Sequence, residues 1–296
     1  MQQQSKAIAY ALLAILFWST VAVPFKIGLQ YFHFTHFLFI TITIAVVISF
    51  ISLLWQKKIR QLKNLTKSQI LIGVLGGFLN PFLYYLMLFK AYSLLPAQIA
   101  QALNYTWPIM LVILSVPFLG QKLNFKGFST LLIGFVGVYF IASEGNPLAL
   151  QPSEPFGVIL AVSTSIVWAC YWLINTKSTT DSSINLFLNF ATGFVLTIPI
   201  AFIIPFDYLV PIKGWLAVAY SGIFEMGITF IIWLTAMRLT SRTDKISNYV
   251  FLAPFLSLLF IYIFLGEQIY YTTLVGLVLI ISSIFLNRYL TSSERK

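Results

Sequence analysis

Residues Ala97 to Gly120 read AQIAQALNYTWPIMLVILSVPFLG, and residues 254 to 266 read PFLSLLFIYIFLG. Laid on one another at an offset of 146, Pro108 falls on Pro254, and Phe118-Leu119-Gly120 falls on Phe264-Leu265-Gly266. The same proline, followed at the same distance by the same tripeptide, marks an internal duplication. An offset of 145 pairs Ala91 with Ala236, and one of 150 pairs Trp18 with Trp168, so short insertions between segments account for the drift. Both copies are too apolar for a soluble core. About 20 apolar residues at a rise of 1.5 Å match a hydrocarbon layer of roughly 30 Å.

Working outward, eight further stretches of that kind flank these two. The first five spans lie near Ala7 to Leu29, Thr35 to Trp55, Gln69 to Tyr92, Ala97 to Phe118 and Phe125 to Ser143. The second five lie near Pro155 to Thr176, Ile184 to Pro205, Gly214 to Arg238, Ile246 to Leu265 and Tyr271 to Leu290. Their runs are continuous, without the period-2 alternation of a membrane barrel, and lipid then leaves helix as the backbone solution. With 59% hydrophobic and 9% charged residues in 296, the membrane is the fitting environment. The fold expected is an all-α membrane protein of ten transmembrane helices in two five-helix repeats, residues 7–143 and 155–290. Five is odd, so the second repeat must be inverted relative to the first. Inverted repeats with interrupted helices are the architecture of secondary transporters, whose substrate site lies near the midplane. Met1 to Lys6 is too short and polar for the n-region of a cleaved signal, so the first span is expected to remain as a helix.

The net charge of +10 is an orientation signal. With the N-terminus inside, fifteen of the eighteen Lys and Arg residues fall on the cytoplasmic side, and only Lys26, Lys90 and Lys213 fall outside. This positive-inside asymmetry places both termini in the cytoplasm of a cell bounded by a bacterial inner membrane, and it needs an even number of spans. The surplus suits contact with anionic lipid rather than with nucleic acid.

Several polar or aromatic residues sit where a membrane helix should not need them. Pro108, read as mid-helix, cannot donate to the carbonyl of Asn104, and Pro254 likewise frees that of Val250. Asn104 adds an amide at the same place. Trp55 and Trp215 lie at span ends as interfacial anchors, whereas Trp18, Trp107 and Trp168 lie halfway along theirs, where an indole N–H packs against an internal partner or faces a wet cavity. Glu225 falls near the midplane of the eighth span. A carboxylate there costs at least about 2.5 kcal/mol on insertion scales, which marks it as a site for a substrate amine or a coupling proton, or else as a structural group bonded to a neighbour. Its repeat counterpart is Asn80, and the pair is expected to face one another across a central cavity. Lys26 and Lys90 either snorkel to the interface or attract a substrate carboxylate. Gly73 and Gly77 form a G-x-x-x-G suited to close helix packing. His33 and His36 offer too few ligands for a metal site, and the single cysteine, Cys170, is read as a packing residue that excludes an intramolecular disulfide. Among motifs, neither a nucleotide-binding loop nor a hydrolase or metalloprotease pattern occurs, so no cofactor, metal or catalytic residue is expected.

Trp18-Ser19-Thr20, Asn104-Tyr105-Thr106-Trp107-Pro108, Gly120-Gln121-Lys122 and Trp168-Ala169 together resemble the EamA family of the drug/metabolite transporter superfamily, most of all its YddG-type aromatic amino-acid exporters. That resemblance covers nearly the whole chain. It implies ten helices in two five-helix EamA repeats, and a substrate cavity lined by Trp107 and Trp168 with Asn104, Tyr105 and Trp18, to which the residue-level reading adds Asn80 and Glu225. The function expected is export of small amphipathic metabolites such as aromatic amino acids, by alternating access and with Glu225 as the coupling group, in a monomer or weak dimer. The alternatives are uptake or exchange of another metabolite, such as a nucleobase or an S-adenosyl compound, and a membrane-embedded lipid enzyme. The last would need clustered carboxylates, His or Cys, and the eight acidic residues are scattered.

Overall fold

The computed structural model describes residues 2–120, 125–148, 153–206, 209–240 and 248–292. Gln121 and Lys122 of the Gly120-Gln121-Lys122 motif lie outside the described residues, as do Arg242, Lys245, Arg295 and Lys296 of the basic set. Every element among the described residues is helical. In chain order the helices are α1 (Gln3–Gly28), α2 (Phe34–Trp55), α3 (Lys67–Leu94), α4 (Ala97–Leu119), α5 (Phe125–Ala142), α6 (Pro155–Asn175), α7 (Ser182–Ile203), α8 (Ile212–Leu239), α9 (Tyr249–Leu265) and α10 (Tyr271–Ser292). Seven are long and apolar enough to cross a membrane, and α5, α9 and α10 are shorter apolar helices. Large apolar side chains point outward along them, among them Val195 at 61% exposure and Phe202 at 76%. Water would penalise that surface, and hydrocarbon does not.

Local chemistry sets the helix ends. Thr66 and Gln69 close a reciprocal capping box at the start of α3. Asp181 caps α7, its Oδ1 accepting from the backbone N–H of Ser183 at 2.9 Å and of Ile184 at 3.4 Å. The tripeptides that revealed the duplication end α4 and α9 in the same way, on left-handed glycines: Gly120 has φ 64° and Gly266 has φ 67°.

The two prolines behave otherwise than expected. α4 breaks at Tyr105 and Thr106 and restarts at Trp107, so Pro108 lies in the first turn of a new segment. Pro254 occupies the same place after a 3₁₀ turn over Asn248–Leu252. In a first turn the missing N–H would have no intrahelical partner, so the ring presets φ without removing a ladder bond. The interruption lies just ahead of each proline rather than at a kink centred on it.

Small residues bring the helices together. α3 lies along α7 through Gly73, Gly76 and Gly77, and a Cβ on Gly77 would stand 2.5 Å from the Asn189 carbonyl oxygen. α5 lies along α10 where Gly137 and Gly276 face each other backbone to backbone. α1 packs on α8 and α2 on α7, while α4 packs on α6. Lys26, half-buried, ties α1 to the end of α3. Its Nζ donates to the carbonyls of Tyr92 at 2.9 Å and Leu95 at 2.6 Å, closing the C-terminus of α3. Lys90 lies 5.2 Å from the centre of the Phe34 ring. His36 bonds through Nε2 to the end of α7, at the carbonyls of Ala201 and Ile204.

Candidate functional site

Two helices leave α geometry halfway along. α3 widens into a π turn over Phe78–Leu83, where Asn80 takes φ −143° and ψ 118°. α8 does the same over Ser221–Gly227. These are the segments that the repeat alignment pairs, Asn80 with Glu225. Pro81 removes a ladder donor in α3. In α8 the Thr229 hydroxyl bonds back to the Phe224 carbonyl, and Gly222 and Gly227 admit Ile44 and Ile48 of α2. π turns and prolines inside helices widen the ladder and re-aim side chains.

Glu225 projects from the second of these turns and is buried. Its Oε1 accepts from the Tyr85 hydroxyl at 2.7 Å, and its Oε2 is buried without a hydrogen-bond partner among the described residues. Tyr84, the adjacent residue, meets Tyr85 edge-on with ring centroids 4.8 Å apart. The Tyr84 hydroxyl donates to Asn104 Oδ1 at 3.1 Å, and Asn104 Nδ2 donates to Thr164 Oγ1 at 2.8 Å. Four helices, α3, α4, α6 and α8, thus share one hydrogen-bonded and stacked network.

Aromatic rings extend it. Trp168 lies over Tyr84 with centroids 4.8 Å apart and reaches Phe230 at 6.3 Å. Phe230 in turn meets Trp18 edge-on at 5.8 Å, and Trp18 packs on Trp233 at 5.4 Å. Glu225, Asn104, Trp168 and Trp18 therefore belong to one centre. Tyr105 packs half-buried into the cluster that holds Trp18 and Trp233. Trp107 is half-buried at the restart of α4 and, among the described residues, has neither a ring pair nor a side-chain hydrogen bond.

Asn80 belongs to a neighbouring group. It is 1% exposed, and its Oδ1 is buried without a hydrogen-bond partner among the described residues; the Tyr171 hydroxyl, on the adjacent α6, bonds instead to Asn189 of α7. That hydroxyl donates to Asn189 Oδ1 at 3.0 Å when the amide is oriented so that its nitrogen donates to the Gly73 carbonyl at 2.9 Å. No hydrogen bond joins Asn80 to Glu225 among the described residues. The residue bonded to Glu225 is Tyr85.

Tyr84, Tyr85, Thr164 and Phe230 went unread in the sequence as parts of this centre. One signal was available: Tyr84 and Tyr85 follow Asn80-Pro81 by about one turn, so the interrupted segment and the two hydroxyls share a level in the membrane. Chemically, the centre offers the buried Glu225 Oε2 beside flat aromatic faces, and the neighbouring group offers the buried Asn80 Oδ1, both without a hydrogen-bond partner among the described residues. Each such acceptor costs about 1–3 kcal/mol while unsatisfied, so a donor on a bound solute is favoured there.

Known proteins match this chain along its length. The profile of the EamA-like transporter family matches twice, over residues 5–143 and 155–289. The transporter YoaV of Bacillus subtilis is 26% identical over 290 residues, covering 95% of this chain and 96% of its own. The aromatic amino acid exporter YddG of Ancylobacter novellus is 23% identical over 166 residues, 55% of this chain and 56% of the exporter. A crystal structure at 21% identity shares the fold, with a TM-score of 0.69 over 99% of both chains. With two profile matches that together span nearly all of the sequence, the chain belongs to the EamA-like transporter family.

Proposed function

We propose that this membrane transporter exports small amphipathic metabolites that carry an amine and a flat apolar group, aromatic amino acids foremost, across a bacterial inner membrane. The observation that carries the reading is Glu225: one carboxylate oxygen held by Tyr85, the other buried and unpaired, in a centre walled by Tyr84 and Trp168. The free oxygen takes the substrate ammonium, and the aromatic faces take its side chain through stacking and cation–π contact. Asn80, Asn104, Tyr105, Trp18 and Trp107 complete the lining. The ten helices form two inverted repeats, and rocking of one against the other exposes the centre to each side in turn. Binding of a proton at Glu225 in exchange for the amine couples export to the proton gradient. The name of the YddG exporter among the relatives supports the choice of substrate class, as does the Trp107 and Trp168 motif.

Untargeted metabolite profiling of cells that overproduce or lack the protein tests the substrate class. Aromatic amino acids should rise in the medium on overproduction. Enrichment of nucleobases or S-adenosyl compounds, or depletion of a solute from the medium, would replace this reading with the corresponding exchange or uptake. In liposomes, Trp168→Ala should cut transport about tenfold while membrane expression stays near normal, a loss of the size expected for one buried aromatic contact of ~1.5 kcal/mol.

A further inference from the structure

Away from the midplane centre, a cavity of about 360 Å³ opens where the ends of α2 and α8 meet the start of α7. Arg238 at its mouth lies 13 residues beyond Glu225, about 20 Å along α8, and so at the membrane surface. The cavity's polar lining is Ser49, Ser52 and Gln56 of the α2 end, Ser183 of α7, and Thr235 and Arg238 of α8. Leu186, Ile231 and Leu234 give it an apolar wall.

The surroundings fix what the cavity can take. Trp55 at the rim is 84% exposed, and Val47, Ile51 and Leu54 on the same helix are exposed beside it, so the opening lies at the level where headgroups meet chains. Arg238 donates through Nη2 to Ser183 Oγ at 3.0 Å and lies 3.5 Å from Asp181 Oδ2, with 43% of its side chain exposed. Lys57, Lys58 and Arg60 follow directly on α2, and among the described residues Asp181, already bonded to Lys58 at 2.8 Å, is the acid of this cluster. The local charge is therefore positive. A planar guanidinium with hydroxyls beside it suits a phosphate, and the apolar wall suits an acyl chain.

We infer that this cavity binds the headgroup of an anionic phospholipid, its phosphodiester on Arg238 and its first chain segment along Leu186, Ile231 and Leu234. Such a lipid would tie α2, α7 and α8 together at the membrane surface. The site is independent of the transported solute.

Native mass spectrometry of the purified protein with phosphatidylglycerol or phosphatidylcholine tests it. Phosphatidylglycerol should be retained at least tenfold in preference. Arg238→Gln should abolish that preference, and Leu186→Trp, which fills the cavity and keeps every charge, should abolish it as well. Added glycerol phosphate or inorganic phosphate should not displace the lipid. Equal retention of the two lipids would overturn the proposal, as would an unchanged preference in Leu186→Trp. Full displacement by free phosphate would assign the site to a soluble anion and overturn it too.

Discussion

Glu225 gives one oxygen to Tyr85 and has no partner for the other among the described residues, and the proposal that this second oxygen takes a substrate amine or a proton can be tested one atom at a time. Glutamine preserves the shape and the bond from Tyr85 while removing the charge. Glu225→Gln should therefore insert and fold, yet lose either the response of transport to an imposed pH gradient or the preference for amine-bearing solutes, as measured with purified protein in liposomes. An unchanged rate and pH response would make the carboxylate structural. At the membrane surface, Asp181 gives a cleaner titration. Partial burial raises its carboxyl, but the hydrogen bond from Lys58, the Ser183 backbone N–H and the charges of Lys58 and Arg238 outweigh that and hold it below its ordinary 3.8. A group depressed on folding contributes stability that is complete above its unfolded value and fades as the pH falls through the folded one. The difference in thermal transition between wild type and Asp181→Asn should thus be present at neutral pH and shrink toward zero as the pH drops below about 4.

Helix by helix, much of the architecture was legible because hydropathy and small-residue spacing act locally. The Gly73-x-x-x-Gly77 pattern announced a close crossing, and α7 occupies it. Gly77→Ala should destabilise the protein by about 1–3 kcal/mol, since the added methyl would overlap the Asn189 backbone and Thr192, neither of which can rotate away. Gly120→Ala, by contrast, has open space around it and should cost about 1 kcal/mol, from the left-handed backbone alone. Thermal unfolding in detergent separates the two. The prolines misled because position within an apolar run does not say whether a helix continues through it. Whether Pro108 kinks a rod or starts a new one depends on the turn at Tyr105-Thr106, which packing rather than propensity decides. For the same reason Tyr84 and Tyr85 were invisible among the many aromatics of the chain. Their role comes from the π turn at Asn80-Pro81, which sets where on the bundle they point.

At the scale of the whole molecule, the two loop-bearing ends are chemically unlike. One gathers Lys58, Asp181 and Arg238 in an ion cluster. The other joins the halves of the chain through Glu267, which accepts from the backbone N–H groups of Ala97 and Gln98, and through the Gln98 side chain, which binds Gln268, Tyr270 and Thr273. Charge counting leads to the expectation that the first end is cytoplasmic, because the retention of Lys and Arg on that side depends on composition and not on packing. The identity of the solute was not legible in that way, since it depends on which few side chains converge at the centre. The assignment of sides is the claim on which inverted repeats and export direction both rest. Reporter fusions after Gln61 and at the C-terminus should read cytoplasmic, and a fusion near Gly145 should read external. An external C-terminus would mean an odd number of crossings, so one of the shorter helices α5, α9 or α10 would have to lie out of the membrane. The two halves could then no longer be related by inversion, and alternating access between them would lose its basis.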